Sequence, residues 1–438
     1  MMKPYISLIL TLLRSLLPMV FVGFNVSAVA LTIDDAFNKA IEVDPSLRSS
    51  RFNQQAVAEN LAIARSRFLP QIMLQGSSNN LTQTTTQDVV GAASVSRSFT
   101  GPSVNHQFLI RQGLIRPKDL SALNLAELQN QYGVVKYLSD LSDAWFRVAN
   151  SYIDVVGAQQ IAEAYEKPLA NMLLAAKQEK ARFEKGDGTK DAVNEAEAQF
   201  QQANSAHLHA LQSLWAKQRS FELLTRIDPV LLIDVKLSLK PEALIVKENR
   251  DQVWNRIKDN SFELRLAAYQ EAMQKERLRM AKADHLPTLD LLATWNIAKN
   301  DATSTQGYKY KNNQLGIQYT IPIFAGGGIS AGERQANSSF EAALADTLVI
   351  SNKIENEFTI SWSAIQGFAA RIESGYLLVE SAKMQQKATE LSYIHGVKTI
   401  MEMANTELTL SRRIVDQINL VVDFKKYAIK LSKKEKNI

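Results

Sequence analysis

The feature that most constrains this chain is a repeat. Displaced by 217 residues, positions 34–74 fall on 251–291 without a gap, and ten positions are identical, Asp34/Asp251, Leu47/Leu264, Pro70/Pro287 and Leu74/Leu291 among them. Ordinary composition gives roughly two or three identities in such a window by chance. Both copies carry charged, helix-like sequence into Leu-Pro and then at once into alternating residues: "RFLPQIMLQG" at 67–76 and "DHLPTLDLLA" at 284–293. Farther along, a displacement of 210 aligns Gly157/Gly367, Gly186/Gly396 and Thr189/Thr399. A period near 210 is far longer than a solenoid unit, so the chain holds two copies of one large plan. The change in displacement places about seven extra residues in the first copy between 74 and 126, where a hairpin loop accommodates insertion.

Each copy reads the same way. A helix opens it, with Thr32 as N-cap and Asp35 three residues on, and runs to Leu-Pro, where proline disfavours helix in the residue before it. A β-hairpin follows, spanning 70–112 in the first copy and 287–323 in the second. In "PTLDLLATWNI" the alternation puts Leu289, Leu291, Ala293, Trp295 and Ile297 on one face, and Thr288, Asp290, Thr294 and Asn296 on the other. The return strand sets Leu315, Ile317, Tyr319 and Ile321 against Gln314, Gln318 and Thr320. Polar loops are predicted at 79–103 and 299–312, tipping short strands. From 117 to 184 the sequence then predicts about 100 Å of helix at 1.5 Å per residue, with Pro168 as a kink or break. Turns at "EKGDGTKD" and "HGVKT" reverse the chain into a second long helix in each copy. The predicted organisation is an export signal at 1–30, a first repeat at 31–225, a linker at 226–249 and a second repeat at 250–438. The fold class is mainly α with a small β part, built on tandem-duplicated long helical hairpins.

Composition narrows the function. Lys3, an apolar run and "SAVA" up to Ala30 read as a cleavable export signal. The chain has no cysteine, which excludes disulfides, thiolate metal sites and a lipid-bearing cysteine. No later segment reaches 18 uninterrupted apolar residues, so any membrane crossing uses strands. An outer-membrane barrel needs at least eight strands, more than one copy of this chain supplies, and open edges are not tolerated in lipid. Several chains together would close one. The last sixteen residues hold six lysines, read as a solvated helix end; no nucleic-acid motif accompanies them. Enzyme signals are weak. His207 and His209 point to different faces of a helix, and Glu195/Glu197 lie on a solvated surface. "AGGGISAG" lacks the lysine of a phosphate loop and reads as a strand-to-helix turn. No metal and no cofactor is expected.

The duplicated "FLPQIML" and "HLPTLDL", the strand exit "IPIFAGGG" and the helix turns "RFEKGDGTKDAVNEAEAQF" and "SYIHGVKTIMEMAN" together resemble the TolC family of outer-membrane channel-tunnels over 31–430. The resemblance implies a homotrimer with a twelve-stranded barrel in the outer-membrane lipid, four strands per subunit, continued by an α-helical barrel across the periplasm. It implies a passive exit duct that works with a periplasmic adaptor and an inner-membrane pump of the ABC or RND type, in efflux or type I secretion. Its periplasmic gate would fall on Tyr393 and Lys398, with acidic constriction rings on Glu402 and Asn405. Asn405 carries no charge. The acidic gate partner falls on Ala192, with Asp191 one place earlier. Gly186 and Gly396 would turn the helices at the adaptor-docking end, and Trp295 and Tyr319 would face the membrane. The rival readings are a periplasmic adaptor, which carries one helical hairpin flanked by β-rich segments, and a structural coiled coil, which gives no reason for two β-hairpins.

Overall fold

The computed structural model of the chain describes residues 31–88, 90–91, 93–232, 235–238, 249–301 and 308–436. The segment expected to be an export signal, 1–30, lies outside them, as do 239–248 of the linker. The first copy comprises α1 (Ile33–Val43), α2 (Pro45–Ser66), β1 (Gln71–Gln87), β2 (Val95–Ile115), α3 (Pro117–Glu184) and α4 (Lys190–Thr225). The second comprises α5 (Arg250–Asn260), α6 (Phe262–Ala283), β3 (Thr288–Asn300), β4 (Tyr308–Thr320), α7 (Gly328–Ile394) and α8 (Ile400–Lys436).

The opening helix of each copy is two helices rather than one. In the first copy Asp44 ends α1 and caps α2, accepting from Ser46 N–H at 2.7 Å, with Pro45 in the first helical position. Ser261, the equivalent of Asp44 at the displacement of 217, caps α6 by accepting from Leu264 N–H at 3.3 Å. A side chain that satisfies the free N–H groups of a new helix interrupts the old one at little cost. Thr32 and Asp35 form a reciprocal capping box, with bonds of 3.1 and 3.2 Å. Pro168 does not break α3, whose 68 residues run through it. Its ring is buried, and α3 packs against both α4 and α8; that packing outweighs one missing backbone bond.

The four strands form one antiparallel sheet in the order β1-β2-β3-β4, so the two repeats join through β2 and β3. The helices are layered in the same manner. Beside the sheet the packing order is α2-α3-α6-α7; toward the helix turns it is α4-α3-α8-α7. Every level is therefore four elements wide and has two uncovered sides. The core lies where α1 and α5 pack on the long helices. Val148, Val155, Val156, Phe221 and Ile418 are buried on one side, and Ile257, Ile354, Phe358 and Ile372 on the other. The linker joins this core through a short helix, Pro229–Leu232, whose Leu232 is fully buried.

Two further expectations need correction. The strands are not short: β1 has 17 residues and β2 has 21, and β1 and β2 occupy most of 79–103, which was expected to be a loop. The ladder there is sustained by hydroxyl pairs across the strands, Thr82 with Thr100 at 2.9 Å and Thr84 with Ser98 at 3.1 Å. The lysine-rich end is not simply solvated either. Lys433 pairs with Asp143 of α3, Lys434 with Glu357 of α7 at 2.5 Å, and Leu431 is buried.

Candidate functional site

Strand register decides what each face of the sheet presents. Residues paired directly across strands share a face. Trp295 pairs with Phe108 and Asn313, Leu291 with Gln112 and Ile317, Ala293 with Ile110 and Leu315, and Leu289 with Tyr319. One face thus carries Ile72, Leu74, Phe108, Ile110, Leu291, Trp295, Leu315, Ile317 and Tyr319. Leu74 and Leu315 are each 76% exposed and Tyr319 is 73% exposed. Phe108 and Trp295 touch, with ring centroids 5.6 Å apart. The other face is mainly polar, with Gln71, Gln75, Gln107, Asn296, Asn312, Gln314 and Gln318, and carries Met73, Leu109 and Leu292 near its foot. From Leu289 to Ile297 the apolar band runs for about 26 Å along the strand at 3.3 Å per residue, and strand tilt brings this near the height of an outer-membrane apolar band. Among the described residues no helix is long and apolar enough to cross a membrane.

At the foot of the polar face Asp290 is 4% exposed and serves as the hub of an ion cluster. Arg116 donates to its two oxygens from Nε and Nη2, both at 2.7 Å, and Arg111 donates from Nε at 3.0 Å. Arg116 also reaches Asp119 at 3.6 Å, and Asp119 pairs with Arg67 of the α2 cap at 3.2 Å. The chain Arg67–Asp119–Arg116–Asp290–Arg111 ties the sheet of both repeats to the first long helix. Alternation had placed Asp290 on a permissive polar face; burial and the paired guanidinium groups make it a fixed joint instead. Asp290 stands between the apolar-face residues Leu289 and Leu291, and no local spacing marks its pairing with Arg111 and Arg116, which lie 179 and 174 residues away in sequence.

At the opposite end of the molecule both helix turns have one geometry. Gly186 has φ +83° and Gly396 has φ +75°. In each turn the glycine N–H bonds three residues back, to Phe183 O at 3.0 Å and Tyr393 O at 2.9 Å. The next N–H reaches one residue farther, from Asp187 to Arg182 O at 2.9 Å and from Val397 to Ser392 O at 2.8 Å. These are paired Schellman closures, which require a left-handed residue at the glycine. The following helices begin alike. Thr189 accepts from Ala192 N–H at 3.2 Å, and Thr399 accepts from Glu402 N–H at 3.2 Å. Only the second copy completes the box: the Glu402 carboxylate takes the Thr399 N–H at 2.9 Å and its hydroxyl at 3.1 Å. Those bonds, with Lys398 beside them at 3.4 Å, hold the Glu402 carboxyl below the ordinary glutamate range.

The structure thus brings some of the expected gate residues together and separates others. Lys398 pairs with Glu402 on its own helix end. The Tyr393 hydroxyl donates to Gln178 Oε1 of α3 over a long 3.5 Å. Asp191, in the first turn of α4, is exposed and makes no such contact among the described residues of its own chain. Asn405 is half-buried, and its carbonyl accepts from the Thr409 hydroxyl at 2.9 Å. Two groups had no sequence signal. Gln178 lies in unbroken helix, and Glu407 is 4% exposed, pairing with Lys167 at 3.1 Å. Beneath them Met172, Ala175, Ala203, Ile400, Ala404 and Leu408 seal α3, α4 and α8 together.

Comparison with known proteins agrees with this layout. The profile of the outer membrane efflux protein family matches residues 36–225 and 253–431, one span in each repeat. Outer membrane protein TolC of Vibrio cholerae is 25% identical over 399 residues, covering 88% of this chain and 85% of that protein. The alkaline protease secretion protein AprF of Pseudomonas aeruginosa is 25% identical over 391 residues, covering 87% and 80%. Among solved structures, the Campylobacter jejuni CmeC outer membrane channel superposes with a TM-score of 0.74 at 13% identity, over 92% of this chain and 85% of that one. VceC of Vibrio cholerae superposes with a TM-score of 0.71 at 13% identity, over 92% and 94%. The chain therefore belongs to the outer membrane efflux protein family and is an outer-membrane exit channel of the TolC type.

Proposed function

We propose that three copies of this chain close into one duct, a twelve-stranded barrel in the outer membrane that continues as a ring of long helices through the periplasm. The observation that carries this reading is the pair of free sides at every level. β1 and β4 each have one unpaired edge, and an exposed strand edge cannot remain open in lipid. Cyclic closure satisfies both edges with the same contact repeated around an axis. Four strands per chain make three copies a twelve-stranded barrel. The polar sheet face then lines the bore, and the apolar face with Trp295 and Tyr319 meets lipid. The adaptor reading does not account for the second helical hairpin.

In this duct the turns at Gly186 and Gly396 form the periplasmic tips, where a periplasmic adaptor docks and an inner-membrane ABC or RND pump delivers cargo. Tyr393 and Lys398 hold the entrance narrow together with Gln178 and Glu402, and Asp191, unengaged in its own chain, is offered to a neighbouring copy. Exposed pairs of this kind are individually weak, so a docking partner separates them without unfolding the helices. Glu402 lines the constriction as a ring of three carboxylates, and Asn405 adds no charge. Export is passive, with energy supplied by the pump. Reconstitution of purified protein in planar bilayers tests the reading: steady ion conductance from a trimer stable in detergent is the expected result. Monomeric protein without conductance would exclude it.

A further inference from the structure

Above the apolar band the outward face of the second hairpin turns basic. Lys299 follows Ile297 on β3, and on β4 Lys311 and Lys309 follow Asn313 on the same face. Lys299 and Lys309 are in direct register, so their Cβ atoms stand roughly 5 Å apart; Lys311 lies two residues, about 7 Å, along the strand. All three side chains are exposed. Like charges directly opposite each other on a sheet are destabilising unless something neutralises them. Among the described residues only Asp301 does so, pairing with Lys299 at 2.7 Å. Among the described residues Lys309 and Lys311 have no ion pair or hydrogen bond of their own. Closure of the barrel supplies no carboxylate either, because β1, the strand that would lie beside β4, contains no Asp or Glu. Lys311 sits one same-face rung beyond Trp295 and Phe108, and Lys299 and Lys309 sit two rungs beyond, at the height where aromatic girdles mark the membrane surface.

We infer that Lys299, Lys309 and Lys311 form a binding site for the phosphate groups of lipid headgroups in the outer leaflet. Charge complementarity and continuity with the apolar band point to the same occupant. A lipid whose acyl chains lie against Leu315, Ile317 and Trp295 carries its headgroup to the lysine rung, where three ammonium groups face one carboxylate. A free phosphate ion gains the charge contacts and none of the apolar ones. The inference rests on the lipid-facing assignment of this sheet face proposed above.

The test uses full-length protein in vesicles and separates that assignment from the lysine site. In brominated phosphatidylcholine, part of the tryptophan fluorescence is expected to be quenched, and that part is expected to be absent in Trp295→Phe. No difference between the two would remove the lipid-facing face itself. Binding is then measured by native mass spectrometry with diphosphorylated lipid A and with its dephosphorylated form. The native chain is expected to prefer the phosphorylated lipid. Lys309→Gln with Lys311→Gln is expected to weaken it on the order of 25-fold, about fivefold for each lysine near an anionic surface. Lys309→Arg with Lys311→Arg is expected to retain binding. Retained quenching by the neutral brominated lipid verifies that the glutamine variant is assembled; if it fails to assemble, Lys311→Gln alone carries the comparison, with about a fivefold loss expected. Equal affinity of native and glutamine variants, or equal affinity for the two lipids, would overturn the site. Displacement of the lipid by millimolar inorganic phosphate would assign the lysines to a free anion instead.

Discussion

At the scale of single residues the proposed entrance is a set of weak contacts, and their effects should be readable one at a time. The Tyr393 hydroxyl and Gln178 meet only at 3.5 Å. Tyr393→Phe and Gln178→Leu are each expected to raise single-channel conductance modestly, and the double variant is expected to add nothing, because both remove one bond. Tyr393→Phe combined with Lys398→Ser should raise it further, since Lys398 acts through a different partner. Glu402 serves two purposes, as charge and as cap, and the variants distinguish them. Glu402→Gln keeps an acceptor for Thr399 and removes the charge, so cation preference and block by multivalent cations are expected to fall while α8 keeps its start. Asn405→Asp should deepen both. Acid affects the cap with a definite sign. The Glu402 carboxyl is held below its ordinary 4.5 by its bonds to Thr399 and by Lys398. The capping contribution is therefore complete above that ordinary value and is lost as pH falls through the depressed one. Protection of the amides at 399–403, relative to their intrinsic exchange rates, is expected to fall as pH drops through the depressed value in the native chain, whereas in Thr399→Ala it should already be low at neutral pH.

At the scale of elements the sheet and the turns make separate demands. A β-branched residue in the left-handed conformation of Gly186 or Gly396 costs roughly 1–2 kcal/mol. Valine at either position is expected to impair export while trimers still reach the membrane; loss of trimers instead would show that the turns serve folding alone. On β4, Leu315→Arg is expected to block membrane assembly, at about 2–4 kcal/mol near mid-membrane, and Gln314→Arg, one residue away on the bore face, is expected to be tolerated. Asp290→Asn leaves two arginines partly unpaired at a buried site, and a fall in the heat stability of the barrel is expected from it. Much of this was legible beforehand, because the period of two in β3 and β4 and the Gly-centred breaks at 186 and 396 are local signals. The breaks at Asp44 and Ser261 were missed although each carries a capping side chain, because the apolar pattern continues across them. At Pro168, read as a kink or a break, the helix is not broken, because packing on both sides outweighs a strong local breaker. Gln178, Glu407 and the Asp290 cluster depend on contacts between distant segments, which no local spacing encodes.

At the scale of the whole molecule the proposed duct makes the chain one third of an object. Its sheet and its helix layers stop at the same two sides, and the described chain leaves Ile323 and Phe324, just beyond β4, nearly fully exposed. A tag inserted at Val90, in the turn between β1 and β2, is expected to be reached by antibody on intact cells; detection only after lysis would invert the topology. The free edges also have a genetic consequence. If closure takes three chains drawn at random from one pool, then with half of them defective only about one ring in eight is wholly sound. A variant that assembles but cannot open, such as valine at Gly396, is therefore expected to be dominant over a native copy in the same cell. A variant that fails to pair its strands, such as Leu315→Arg, is expected to be recessive, because it never enters a ring.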